Sequence, residues 1–250
     1  PTLSLCITLA QFSIPSAVFR LVSNPKYNNK KVIISAILIC FLSCLLIMFG
    51  ILFFSKMIAV DFLKQDQAYF PLLAMLPFIP LVGISGIIKN YYLGKEDVWT
   101  LSVSQLLEEV TRILFTYVMI KLCAHLSMTY LVSIAIAAMS VGELCSILYL
   151  YTHMHRRVNF RYHSLSYFQD HFIFKDMMNI ALPLTGSRIL HSCYNFIEPI
   201  VLVAILTKLQ MSESQIHLQY AIISGYVISI LVTPTFFNNV VLRLLLPILN

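Results

Sequence analysis

Long apolar runs alternate with short polar segments along this 250-residue chain. Each run has about 20 residues or more, which is the length that an α-helix needs to cross a bilayer. The pattern predicts seven membrane-spanning helices, at roughly 2–22, 32–55, 68–93, 98–121, 127–152, 174–207 and 216–246. The third run contains Pro71, Pro77 and Pro80, so we expect a kink in that helix.

The composition supports the same fold class. Hydrophobic residues make up 59% of the chain and charged residues only 11%, against roughly 25% charged in soluble domains. We therefore predict an all-α, polytopic membrane helical bundle. No basic segment of a signal peptide precedes the first apolar run. We expect the chain to be a fragment of a longer protein whose first helix is missing.

The loops predict both orientation and domain organisation. Most loop lysines and arginines follow the first, third and fifth spans, which places those loops in the cytoplasm. Residues 153–173 form the longest polar connection. We interpret this segment as a cytoplasmic linker between residues 1–152 and 174–250, and its amphipathic run predicts a short helix at the membrane surface.

Two spans carry polar residues at steps of three and four, which places each set on one helix face. The fourth span has Gln105, Glu108, Glu109 and Arg112. Glu108 precedes Arg112 by four residues, the favourable order for an ion pair, whereas we expect Glu109 to lack a partner and to titrate. Either a structural pair or a cavity and gating network fits these residues.

The sixth span carries the second stripe, with Arg188, His191, Asn195 and Glu198. A carboxylate beside an amide and a histidine suits binding of Na⁺ or a proton, so His191, Asn195 and Glu198 are candidates for ion coupling. Simple hydration of Glu198 near the outer interface is the alternative. Glu143, with Ser140 and Ser146 in the fifth span, is a weaker instance of the same pattern.

Three segments resemble a known family. FSIPSAVFRLVSNP is similar to the second-helix signature of the polysaccharide-exporter branch of the MOP flippase superfamily. PFIPLVGISGIIKNYYLGKEDVWTLSVSQLLEEVTRILF resembles its fourth and fifth helices, and ALPLTGSRIL the start of its seventh. The resemblance is strongest to the stage V sporulation protein B group, and more distant to lipid II flippases and MATE exporters.

That resemblance implies a two-lobe, V-shaped MATE/MOP-like transporter, of which this chain would supply helices two to eight. It implies alternating-access export of undecaprenyl-linked saccharide, a polysaccharide or peptidoglycan precursor, across a bacterial cytoplasmic membrane. Arg188, Arg20 and Lys89 would then bind the pyrophosphate, since arginine can hold it bidentately. For Arg188 and Arg20, anchoring to the lipid headgroups is the alternative.

No Walker loop, GxGxxG, nucleophile elbow or HExxH motif occurs, so we expect no enzyme activity and no cofactor beyond possible Na⁺ or H⁺ coupling. The six cysteines show no metal-binding spacing, and we expect no metal site. In a membrane protein the net charge of +6 reflects topology rather than a nucleic-acid partner. The partners expected are the bilayer and a lipid-linked saccharide. A MATE-type drug exporter, a membrane enzyme acting on lipid-linked sugar and a non-transporting scaffold are the alternatives.

Overall fold

The computed structural model describes residues 2–57, 69–123, 127–157, 171–209 and 213–223, together with 225 and 230. In these ranges the regular structure is helical throughout. The helices are α1 Thr2–Gln11, α2 Ile14–Val22, α3 Asn29–Met57, α4 Tyr69–Ala74, α5 Phe78–Gly94, α6 Val98–Leu122, α7 Met128–Arg157, α8 His171–Lys208 and α9 Glu213–Ile222. The predicted all-α polytopic membrane fold is confirmed.

Four of the described helical segments are long and apolar enough to cross a membrane. They are α3, α4 with α5, α7 and α8. The pair α1 and α2 adds a fifth, bent by 45° at the break between the two helices. Helix α6 is continuous over 25 residues, but its apolar sequence is interrupted by three charged side chains near the middle of the helix. The predicted span 216–246 lies mostly outside the described residues.

The first predicted span is two helices rather than one. Phe12 and Ser13 have positive φ angles of 47° and 49°, and they separate α1 from α2. Pro15 explains the break, because its ring excludes the carbonyl of Gln11 from a continuous helix and it has no N–H to donate. The prediction of a single run over 2–22 overlooked this proline.

The third predicted span is kinked as expected. Helix α4 ends at Ala74, and α5 begins at Phe78 directly after Pro77. Helix α5 then packs against α1, α2, α3, α6 and α7, so it lies at the centre of its bundle. Its buried side chains include Ile87 and Tyr92, and the Tyr92 hydroxyl donates a hydrogen bond to the Leu150 carbonyl of α7 at 3.1 Å.

The chain divides into two compact units, residues 1–192 and residues 193–250. The first unit contains α1 to α7 and the beginning of α8. Its core is formed by buried side chains of α2, α3, α5, α7 and α8, among them Ile14, Val32, Ile87, Leu150 and Met177. The described part of the second unit contains the end of α8 and α9.

The predicted linker is only partly covered by the structure. Helix α7 continues through Arg157, and α8 begins at His171. Residues 158–170 lie outside the described residues. The linker, its surface helix and the division into two lobes therefore stay predictions.

Candidate functional site

Five charged side chains meet where α5, α6 and α7 pack together, and we call them the ion cluster: Lys89, Glu108, Glu109, Arg112 and Glu143. The Lys89 ammonium lies 2.5 Å from Glu108 Oε2 and 3.1 Å from Glu143 Oε2. One lysine of α5 thus joins a carboxylate of α6 to a carboxylate of α7. The side chains of Glu108 and Glu143 are only 10% and 6% exposed, so these contacts are largely shielded from solvent.

Arg112 extends the ion cluster along α6. Its Nη2 atom lies 2.6 Å from Glu108 Oε1, and its Nη1 atom lies 3.3 Å from Glu109 Oε1. The predicted pair of Glu108 and Arg112 is therefore present. The expectation that Glu109 has no partner was wrong, because a residue three positions away on a helix is also a neighbour and the guanidinium can reach both carboxylates.

Helix packing explains why the ion cluster is so compact. Gly142 precedes Glu143 on α7, and its missing side chain lets the backbone of α6 approach closely. A Cβ atom at position 142 would lie 2.9 Å from the Glu108 carbonyl oxygen. The glycine therefore brings Glu108 and Glu143 within reach of the same lysine.

Buried hydroxyl groups surround this part of the bundle. Ser85, one helical turn before Lys89, is fully buried, and so is Ser146 on α7. The side-chain oxygens of Ser140 and Ser146 have no hydrogen-bond partner among the described residues. Ser140 and Ser146 are each three positions from Glu143, so they share its face of α7. Unsatisfied buried hydroxyls are costly, and they commonly indicate a place for water or an ion.

A second group, which we call the arginine face, consists of Ser16, Arg20 and Arg188. The Arg188 guanidinium donates a hydrogen bond from Nη2 to the Ser16 hydroxyl at 2.8 Å. Arg20 follows Ser16 by four residues on α2, so the two share a helix face. Both arginines are exposed. Helix α8 also contacts α1, through a hydrogen bond between the Thr8 and Ser192 hydroxyls at 2.8 Å.

Lys89 has partners that the sequence analysis did not predict. Two carboxylates, Glu108 and Glu143, hold its ammonium. Gln105, assigned to the gating network, is exposed one turn from Glu108. Its role, and that of Lys89 in substrate binding, stay predictions.

The three residues proposed for ion coupling are less well defined. His191 is exposed in the first unit. Asn195 and Glu198 belong to the second unit, where both are half-buried. Their predicted function is untested. Within the described ranges, no group of three His, Cys, Asp or Glu residues is arranged to hold a metal ion.

Sequence reasoning underestimated Glu143 and missed Ser16. The sequence analysis treated Glu143 only as a weaker instance of the polar pattern. Its spacing of three residues from Ser140 and from Ser146 was nevertheless a usable signal for a polar face of α7. Nothing in the sequence indicated that Lys89 would join it, because that contact depends on how α5 packs against α7. Ser16 gave no signal, since a lone serine in an apolar helix is common.

Residues after α2 contact the beginning of α8. The Tyr27 hydroxyl donates a hydrogen bond to Asp176 Oδ2 at 2.6 Å, and the Tyr27 ring stacks on Phe172. Lys26 lies 5.0 Å from the centroid of the same phenylalanine ring. The hydrogen bond to Asp176 raises the pKa of Tyr27, because it stabilises the neutral phenol. Tyr27 follows the first predicted span and Phe172 lies in the predicted linker, so both were predicted to be cytoplasmic, and Asp176 lies at the start of the sixth predicted span.

Comparison with known proteins identifies the family. The model of the family described as "Polysaccharide biosynthesis protein" matches residues 1–249. The chain is 28% identical to stage V sporulation protein B of Bacillus subtilis (strain 168) over 264 residues, covering 100% of this chain and 50% of that protein. It is 22% identical to sporulation protein YkvU of the same organism over 259 residues, covering 99% of this chain and 55% of YkvU.

The chain therefore spans about half the length of the curated relatives that it matches. No solved structure matches it significantly. The family match extends over nearly the whole sequence, and the described helices are those of a multi-pass membrane protein. The chain belongs to the polysaccharide biosynthesis protein family, as the resemblance of its helix signatures predicted.

Proposed function

We propose that this protein is a flippase that moves an undecaprenyl-linked saccharide across a bacterial cytoplasmic membrane by alternating access. The observation that carries the proposal is the arginine face. Ser16 brings the Arg188 guanidinium beside the helix face that carries Arg20. Membership of a polysaccharide biosynthesis family supports a saccharide-bearing substrate.

The chemistry of a lipid-linked saccharide suits this face. Its pyrophosphate carries dense negative charge, and guanidinium groups bind phosphate oxygens through paired N–H donors. Charged side chains in a membrane protein are costly unless they face a polar path, so two exposed arginines on neighbouring helices favour such a path. The lipid tail would remain in the bilayer while the headgroup passes.

Lys89 has a different place in this mechanism. Its ammonium is neutralised by Glu108 and Glu143, so we leave it out of the proposed phosphate-binding face. The ion cluster instead ties together the three helices α5, α6 and α7. A rigid group of helices is what a rocking transporter needs, because alternating access moves whole bundles against each other.

The proposal is tested by headgroup translocation. The purified protein, expressed with any flanking segments that its gene encodes, would be reconstituted into liposomes containing a fluorescent undecaprenyl-linked saccharide. A membrane-impermeant quencher then reports how fast inner-leaflet headgroups reach the outer leaflet. We expect a translocation rate well above that of protein-free liposomes, and no acceleration for a neutral phospholipid.

Each alternative function gives a different outcome in the same vesicles. Export of a fluorescent organic cation without lipid translocation would indicate a drug exporter. Chemical conversion of the lipid-linked saccharide, detected by mass spectrometry, would indicate an enzyme. Absence of all three activities would indicate a scaffold, and any of these results would overturn the proposal.

A further inference from the structure

We propose that Glu143 is a proton-binding site, and that the ion cluster holds one exchangeable proton on its carboxylate. The first step is the balance of charge. The ion cluster contains three carboxylates, Glu108, Glu109 and Glu143, against two cations, Lys89 and Arg112. With every group ionised it carries one excess negative charge within the membrane-spanning bundle, where uncompensated charge is expensive.

Burial singles out Glu143 as the carboxylate that takes the proton. Glu109 also has a single cation contact, at 3.3 Å, but its side chain is 57% exposed, whereas the side chain of Glu143 is 6% exposed, so an ionised carboxylate is more costly at Glu143. Without it, the remaining groups form a chain of alternating charge, in the order Lys89, Glu108, Arg112 and Glu109. Glu108 contacts a cation through each of its two oxygens. Glu143 has a single cation contact, which is the longer of the two that Lys89 makes. One proton on Glu143 therefore leaves a neutral, fully paired chain.

The surroundings of Glu143 provide a second, independent observation. The hydroxyl of Ser85 is fully buried and faces the Glu143 carboxyl group, within reach of a hydrogen bond to it. Ser140 and Ser146 present two buried hydroxyls without a partner among the described residues, on the Glu143 face of α7. These groups can accept a hydrogen bond from a protonated carboxyl or donate to an ionised one, so they can serve both states of Glu143.

Among the described residues, the helices that make the main contacts with α7 show no further cation in contact with the ion cluster. Helix α6 contributes Glu108, Glu109 and Arg112, and α5 contributes Lys89. Helix α4 also packs on α7, but its sequence YFPLLA carries no charge, and its Tyr69 packs in an apolar cluster with Leu72 and Ile136. The charge balance described above is therefore that of the local environment.

Protonation would change the position of Lys89. A proton from water forms an O–H bond on Glu143, and the Lys89 ammonium, still protonated, then interacts with Glu108 alone. Loss of the proton restores the bridge from α5 to α7. Glu143 and Lys89 thus form a two-state element that a proton gradient can bias. Its connection to substrate movement rests on the function proposed above.

The site is tested by infrared difference spectroscopy of the reconstituted protein without substrate, recorded as the pH is changed. We expect a pH-dependent stretching band of a protonated carboxyl group that disappears in Glu143→Gln. The matched control is Glu96→Gln, which alters an exposed carboxylate in the turn between α5 and α6 and should retain the band. If Glu143→Gln does not fold, Glu143→Asp should shift the band instead of removing it.

Three results would overturn the proposal. The band could persist unchanged in Glu143→Gln and in Glu143→Asp, which would place the proton elsewhere. It could be absent from the wild type at every pH. The band could change in the wild type, but not in Glu143→Gln, when Na⁺ replaces choline at constant pH. That result would make Glu143 a sodium site. Because no substrate is present, these results are independent of whether the protein moves lipid.

Transport gives the complementary readout. We expect a proton gradient to change the wild-type rate of lipid translocation and to leave the rate of Glu143→Gln unchanged. Equal responses of both proteins would contradict coupling through Glu143. No translocation by the wild type would instead contradict the proposed function and leave the spectroscopic result standing.

Discussion

Gly142 of α7 lies so close to Glu108 of α6 that a Cβ atom at position 142 would be 2.9 Å from the Glu108 carbonyl oxygen. The atom in the way is backbone, which cannot rotate aside as a flexible side chain can. The approach of the two helices therefore depends on this glycine. It also sets the distance across which Lys89 bridges the two carboxylates.

Gly142→Ala should force α6 away from α7. We expect a loss of about 1–3 kcal/mol in the free energy of unfolding, the usual cost of overpacking. Gly50→Ala is the matched control, because no atom lies within 4 Å of a Cβ there. Alanine in an open helical position should stabilise the protein by roughly 0.5–1 kcal/mol. Thermal unfolding in detergent measures both, and equal melting temperatures would contradict the close packing.

Lys89→Met should destabilise the bundle. Removing one partner from a buried ionic group leaves uncompensated charge, which costs about 3–5 kcal/mol. Adding Glu108→Gln should restore part of that loss, because Arg112 and Glu109 then balance each other. Lys95→Met, at an exposed position just after α5, should change stability by no more than ~0.5 kcal/mol.

Denaturant titration of these variants distinguishes a structural ion cluster from incidental contacts. If Lys89→Met proved as stable as Lys95→Met, the contacts of Lys89 with Glu108 and Glu143 would contribute nothing measurable. If Glu108→Gln made Lys89→Met worse, the assignment of excess negative charge would be wrong.

The hydrogen bond from Tyr27 to Asp176 should make stability depend on pH at the alkaline end. The bond raises the pKa of Tyr27 in the folded state above its ordinary value of about 10. The folded state then holds the phenol proton more tightly than the unfolded state. Its contribution to stability is therefore fully present below about pH 10 and is lost as the pH rises through the folded-state pKa.

Tyr27→Phe isolates this effect, because phenylalanine keeps the stacking on Phe172 and removes only the hydroxyl. We expect a lower melting temperature than wild type at neutral pH, and a difference that shrinks as the pH rises above 10. A difference that stays constant over the whole pH range would show that the hydrogen bond does not govern the titration of Tyr27.

The predicted orientation can be tested by cysteine labelling. In a variant without the six native cysteines, Ser23→Cys and Ser127→Cys place single thiols at exposed positions after the first and fourth predicted spans. In right-side-out vesicles, an impermeant maleimide should react with the thiol at position 127 and not with the one at position 23. The reverse pattern would invert the topology.

Apolar periodicity was sufficient for most of the fold, because helix length and bilayer thickness constrain each other. The break before Pro15 was also encoded locally, and it was overlooked. In the ion cluster, contacts within one helix could be predicted from the sequence, whereas contacts between helices could not. The pairing of Glu108 with Arg112 follows from a spacing of four on one helix, but the contact of Lys89 with Glu143 requires the packing of α5 on α7.

The arginine face shows the same limit. Arg20 and Arg188 could be singled out from the sequence because they are charged residues in apolar helices. Ser16 joins Arg188 only because the fold brings these two residues into hydrogen-bond contact, although they are 172 positions apart in the chain. Lys89 was grouped with the arginines because all three are cations near predicted cytoplasmic ends. Its carboxylate partners come from other helices and could not be read from its neighbours in sequence.

The most direct test of the central claim is lipid-linked saccharide translocation by Arg188→Ala, measured against wild type and Lys56→Ala. Lys56 is an exposed cation at the end of α3, outside the arginine face. A charge-assisted hydrogen bond contributes about 1.5–3 kcal/mol, so we predict at least a roughly ten-fold loss in apparent affinity for Arg188→Ala and none for Lys56→Ala. Wild-type translocation by both variants would contradict a role of Arg188 in the substrate path.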